Sequence, residues 1–213
     1  MNTSNNITMI EAIQSGDFQL FLKAKHLGID ISFKDNNDNS LLHIAATNGQ
    51  DRFVNELINI GFQPNTRNNL GCTPLHIAIS QSNKLNFLET SKSLIRRGAD
   101  IEATDNGDET PLLSAAAENQ YNGVFFLLNA NANPHAKCYY GWTALHHAAR
   151  HGNLKMFEEL INFGADKLVK DNYGKTPLDW AKQYNHQDIL SIFAKNIDMS
   201  NTLSGARALS RGQ

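Results

Sequence analysis

The sequence predicts an all-α solenoid of stacked helix-turn-helix units, and three observations predict it. A short motif, Thr-Pro-Leu-His-x-Ala in its fullest form, recurs in register five times, starting at Ser40, Thr73, Thr110, Thr143 and Thr176, so that successive starts lie 33, 37, 33 and 33 residues apart. A period of this length is one supersecondary unit repeated along the chain. Each full copy is followed by an apolar stripe at helical spacing and then by a Gly or Asn suited to ending a helix.

The unit over 137–169 shows the logic of each element. Thr143 is placed to cap a first helix, its hydroxyl accepting from free backbone N–H groups. In sister units Pro74, Pro111 and Pro177 fall at the first helical position, where a missing N–H is no loss. Leu145 points inward, and Ala148 and Ala149 are small enough for neighbouring helices to approach closely. Gly152 closes this helix. The second helix carries Leu154, Phe157, Leu160 and Ile161 on one face and ends before Gly164. Gly61 and Gly98 hold the same closing position in their units, with Asn131 standing in for them in the fourth. The 37-residue interval marks a four-residue insertion within Ser82–Ser93, expected in the helix turn or second helix of that unit.

Six units follow from this register: a capping unit over 7–33, units over 34–66, 67–103, 104–136 and 137–169, and a second cap over 170–197. The first cap lacks the motif, with Ile7 at the Thr position, Gly16 and Gly28 at the helix ends, and Met9, Ile10, Ala12, Ile13, Phe18, Phe21 and Leu22 as its core. The last unit has Asp179 for His and Lys182 for Ala, a polar substitution suited to an end. Residues 1–197 therefore read as one repeat domain, and 198–213, small, polar and without an apolar pattern, as a disordered tail.

The motif and its spacing resemble the ankyrin repeat, and the chain is identified as a member of that family over residues 7 to 197. The resemblance implies helix pairs joined by β-hairpin tips and a protein-binding role. It further implies that a protein partner is met on the concave surface, by the tips and by the exposed face of each first helix. The mapped helix-face positions are Thr47 and Asn48, Ser80 and Gln81, Ala117 and Glu118, Arg150 and His151, and Gln183 and Tyr184. Among the tips, Tyr139, Tyr140 and Trp142 lie together and Tyr173 lies on the next, with Arg150, His151 and Lys175 nearby in register. Tyr, Trp and Arg dominate binding hot spots, so these seven residues are the candidate partner-binding set, with the four rings as anchors. The alternative has some of the rings packing between adjacent tips, and Trp180 serving as core of the cap.

Composition narrows the partner. Charged residues make up 19% of the chain and the net charge is −2, which calls for neither nucleic acid nor an anionic membrane. The charge is uneven: 4 Lys/Arg against 7 Asp/Glu over 1–66, 5 against 7 over 67–135, and 10 against 7 over 136–213. The mildly basic last third could orient an acidic partner. Two cysteines, Cys72 and Cys138, are too few to staple the chain and read as reduced thiols, hence a cytoplasmic protein; no secretory leader and no bilayer-length apolar run is seen. A monomer acting as adaptor or inhibitor, with no cofactor and no enzymatic activity, is expected. Its alternative is a translocated bacterial effector, secreted into a host cytoplasm, that mimics such an adaptor and uses the polar tail for export. A zinc protein or enzyme built on the repeats is the third reading. His147 and His151 have i, i+4 spacing beside Cys138 and His135, but no defined third and fourth ligand follows, and no phosphate-cradling loop or catalytic pair appears.

Overall fold

A computed structural model describes residues 3–27, 33–81 and 86–191, and among them the chain is helical with short, closed loops. The first unit is α1 (Thr3–Ser15) and α2 (Phe18–His26). Next come α3 (Leu41–Thr47) and α4 (Asp51–Asn59), α5 (Pro74–Ser80) and α6 (Phe87–Arg96), α7 (Pro111–Ala117) and α8 (Tyr121–Asn129), and α9 (Ala144–His151) and α10 (Leu154–Asn162). The last unit opens with α11 (Pro177–Gln183), and residues 187–191 are again helical. First helices pack in a row, α1 on α3, α3 on α5, α5 on α7, α7 on α9 and α9 on α11; the second helices form an outer row in which α4 packs on α6 and α8 on α10. This is the all-α solenoid expected, with the substantial helix contacts among the described residues made within a unit or between adjacent units.

The core lies between the rows. Leu42, Leu75, Leu112 and Leu145 are closed to solvent, as are Ala45, Ala78, Ala115 and Ala148, whose small side chains let the first helices approach. In the outer row Phe53, Leu57, Leu94, Leu127, Phe157 and Leu160 are buried, and Met156, absent from the expected stripe, is buried with them. In the first unit Met9, Ala12, Ile13 and Phe21 are core, while Ile10, Phe18 and Leu22 pack on it half-buried. The first helix of this unit starts earlier than the register of the motif would place it, and α1 runs back to Thr3. Gly28 lies outside the described residues, as does the tail 198–213. Asn131 does adopt the left-handed conformation of the glycines it replaces, at φ 66°.

The four-residue insertion is spread over two elements: α6 has ten residues where α4, α8 and α10 have nine, and the remainder falls between α5 and α6, where 82–85 lie outside the described residues. Beside it, α6 and α8 make little contact, and a cavity of about 320 Å³ between them is lined by Phe87, Leu88, Phe125 and Phe126.

The motif histidines join the units. His43 Nδ1 accepts the Ser40 N–H at 3.1 Å and its Nε2 reaches the Cys72 carbonyl at 3.0 Å. His76 does the same with Thr73 and the Glu109 carbonyl, and His146 with Thr143 and the Lys175 carbonyl. An N–H only donates and a carbonyl only accepts, so each ring is neutral with its proton on Nε2. Burial holds all three below the usual histidine range. Asp179 keeps the local half of this arrangement, its Oδ2 accepting the Thr176 N–H at 2.9 Å, and has no reach toward a further unit.

The tips form a second row of links. Each closes on itself, as in Cys138 N–H to the Trp142 carbonyl at 3.0 Å and Asp171 N–H to the Lys175 carbonyl at 2.9 Å. Each also hands a backbone hydrogen bond to its neighbour: Asn69 to Asn37, Asn106 to Leu70, Tyr139 to Gly107 and Asn172 to Tyr140.

Candidate functional site

Where the last two tips meet the exposed faces of α7, α9 and α11, the chain encloses a groove of about 490 Å³. Five rings line it, Tyr140, Trp142, Tyr173, Trp180 and Tyr184, together with Arg150, His147, Cys138, Ala117 and Glu109. Tip residues reach it because the tip-to-tip hydrogen bonds hold successive loops in register. First-helix residues reach it because the helices stack in parallel. The groove thus contains residues from three consecutive units.

Trp180 is anchored from below. The Asp171 Oδ2 accepts its indole N–H at 2.8 Å, while Oδ1 accepts the N–H groups of Tyr173 and Lys175 at 2.9 Å each. One carboxylate therefore shapes the tip and orients the ring; these bonds hold it below the usual carboxylate range, overcoming the burial that acts first and in the opposite sense. Trp142 meets Trp180 with ring centroids 4.5 Å apart, and lies over His146 and His147 at 6.0 and 4.9 Å. Trp180 continues to Tyr184 at 6.2 Å. Two cations lie on this aromatic strip: the Arg150 guanidinium 5.8 Å from the Trp142 centroid and 6.0 Å from Tyr184, and the Lys175 ammonium 4.4 Å from Trp180. Lys175 also donates to Gln183 Oε1 at 2.6 Å. Neither cation has a carboxylate within ion-pair distance among the described residues.

Of the seven residues predicted from sequence, Tyr140, Trp142, Tyr173 and Arg150 line the groove, and Lys175 lies on its Trp180 ring. Tyr139 stays outside, edge-on to Tyr140 at 5.4 Å and 70% exposed. His151 does not line the groove; its Nε2 is engaged with the Ala117 carbonyl of the preceding unit at 2.8 Å, a link within the stack. Trp142 packs half-buried against the core and Trp180. The exposed anchors are Tyr140 and Tyr173, at 56% and 70%.

Sequence reasoning missed His147 as a lining residue. Its ring is 7% exposed, and neither nitrogen has a hydrogen-bond partner. Burial drives its pKa down to about 3, aided by His151, His146 and Arg150, so it is a neutral imidazole at physiological pH. His147 and His151 do not converge on a metal, since the first ring is tilted against Trp142 and the second is bonded to a carbonyl; no group of three or more His, Cys, Asp or Glu arranged to hold a metal occurs among the described residues. Cys72 and Cys138 are both free thiols, and burial, with the Asp105 charge beside it, pushes the Cys72 thiol up to about 11. No described helix is long and apolar enough to cross a membrane.

The family described as "Ankyrin repeats (3 copies)" matches the chain at residues 9–105, 42–138 and 112–202. Among curated relatives, the mouse (Mus musculus) B-cell lymphoma 3 protein homolog is 38% identical over 125 residues, covering 58% of this chain and 27% of the relative. The Xenopus laevis neurogenic locus notch homolog protein 1 is 34% identical over 154 residues, 70% of this chain and 6% of the relative. An L-asparaginase of Dirofilaria immitis is 31% identical over 180 residues, 84% of this chain and 30% of the relative. The chain thus spans less than a third of the length of each of these proteins.

Proposed function

The chain belongs to the ankyrin-repeat family, whose repeats serve as protein-binding modules, and from that premise we propose that it docks a protein partner in the groove between its last two tips and α7, α9 and α11. The carrying observation is the concentration there of five rings and two cations without a carboxylate partner, on a surface built from three units. Aromatic and Arg side chains give the most binding energy per residue, and a stack held by neighbour contacts presents them with little ordering cost. The chemistry is recognition, with no bond made or broken. An adaptor or inhibitor acts in this way, and the reduced thiols agree with work in a cytoplasm. Mimicry by a translocated effector would use the same groove; the tail that reading invokes lies beyond the described residues.

Tyr140→Ala with Tyr173→Ala removes two exposed rings and little of the core. Affinity capture from cell lysate followed by mass spectrometry, comparing this double variant with wild type, tests the proposal. A Phe125→Ala variant on the outer row serves as the control surface. A partner held by wild type and by Phe125→Ala but lost by the double variant supports docking in the groove. A partner held equally by all three moves the contact elsewhere.

A further inference from the structure

His147 and Trp180 occupy the same place in successive units, 33 residues apart, as do Cys138 and Asp171. In the last unit the acid satisfies the ring: Asp171 Oδ2 accepts the Trp180 N–H. In the unit before it the acid is replaced by Cys138, and the ring above it, His147, is left with both nitrogens unpartnered beneath the groove. A buried imidazole in this state forgoes one donated and one accepted hydrogen bond, and such orphaned groups cost stability. A bound group that both donates and accepts would restore them. Above the same floor, Arg150 and Lys175 lie on the ring faces with no carboxylate in ion-pair distance among the described residues. The one carboxylate lining the groove, Glu109, has its charged form disfavoured by burial and by Asp105.

We propose that the groove takes an acidic peptide segment of a partner protein, setting a hydroxyl- or amide-bearing side chain on His147 and a carboxylate against Arg150 and Lys175. This rests on the docking reading above and names the chemistry of what docks. A volume of about 490 Å³ holds one or two side chains of an extended segment rather than a folded element. The chain's own end fits poorly, since residues 192–213 carry Lys195, Arg207 and Arg211 against Asp198 alone.

The test is selection of a phage-displayed random dodecapeptide library on the full chain, then affinity measurement with the selected synthetic peptides. Enriched peptides are expected to place Asp or Glu within a few residues of Ser, Thr, Tyr, Asn or Gln. Arg150→Glu and His147→Leu should each weaken them about tenfold, the worth of one charged or buried hydrogen bond. Cys138→Asp should do the same by giving His147 an internal partner. Neither His147→Leu nor Cys138→Asp should lower the melting temperature, which separates lost recognition from lost folding. Peptides weakened by Tyr140→Ala and Tyr173→Ala but indifferent to the other three changes would overturn this inference and leave the docking reading standing. Peptides indifferent to all five, or no enrichment, would overturn both. Tighter binding on removing 198–213, or self-association abolished by Arg150→Glu, would name the chain's own tail or a second copy as the occupant and equally refute it.

Discussion

His43, His76 and His146 each join two units through a single ring, closing a helix start with one nitrogen and capturing the next tip's carbonyl with the other. Replacing His76 with Ala leaves a buried N–H and a carbonyl without partners and opens a cavity. It should cost about 2–4 kcal/mol, measured as a lower urea midpoint with an unchanged slope. Gly141 and Gly174 hold equivalent places in successive tips, both at positive φ, but differ in what a Cβ would meet. At Gly141 it would lie 2.5 Å from Asn172 Oδ1 and 3.0 Å from the Asn172 backbone N; at Gly174 nothing lies within 4 Å. Gly174→Ala should therefore cost about 1 kcal/mol, the backbone strain alone, and Gly141→Ala about 2 kcal/mol or more in the same titration. The ring positions were legible in sequence because a fixed period places Tyr140, Arg150 and Tyr173 on tips and helix faces. The orphaning of His147 was not legible. It depends on Cys138 failing to do what Asp171 does one unit later, and that acid-to-ring bond is visible only in three dimensions. The bond from His151 to the Ala117 carbonyl was not legible either, because it is made only where α9 stacks on α7.

At the scale of elements, the helices are too short to persist alone. α3, α5, α7 and α11 have seven residues each, below the length at which an isolated helix is stable, and depend on their caps and neighbours. Among the described helices α11 packs substantially on α9 alone, so its cap matters most. Thr176 Oγ1 accepts from the Asp179 N–H at 3.3 Å and donates to its Oδ2 at 2.7 Å. Thr176→Ala should weaken α11 by about 1 kcal/mol, seen as roughly fivefold faster amide exchange there with α5 and α7 unaffected. The starts of α5, α7 and α11 were legible, since each begins at the proline of its Thr-Pro pair. The division of the insertion between α6 and the turn before it was not, because an extra residue can lengthen a helix or a loop with equal ease. The same insertion adjoins the seam where α6 and α8 stand apart.

The molecule as a whole should lose stability on mild acidification. His43, His76, His146 and His147 are all buried, and burial lowers the pKa of each in the folded state, His147 to about 3. Between the unfolded value near 6.5 and those lower folded values the unfolded chain binds more protons. Stability therefore holds above about pH 6.5 and falls as pH drops below it, by up to about 1.4 kcal/mol per pH unit for each histidine in its window. Urea unfolding from pH 7.5 to 5 checks this, and His147→Leu should flatten the slope by one proton's share. Asp35, Asp171 and Asp179, held low by the hydrogen bonds they accept, add their own loss only at more acid pH. The central claim, that the aromatic groove is the docking surface, has a built-in reporter, because the two tryptophans of the chain, Trp142 and Trp180, both line it. Tryptophan emission and its quenching by acrylamide, followed while a selected peptide is titrated in, is the most direct measurement. Docking in the groove predicts a saturable change in emission with quenching reduced at the same midpoint as binding; saturated binding with emission and quenching unchanged would contradict it.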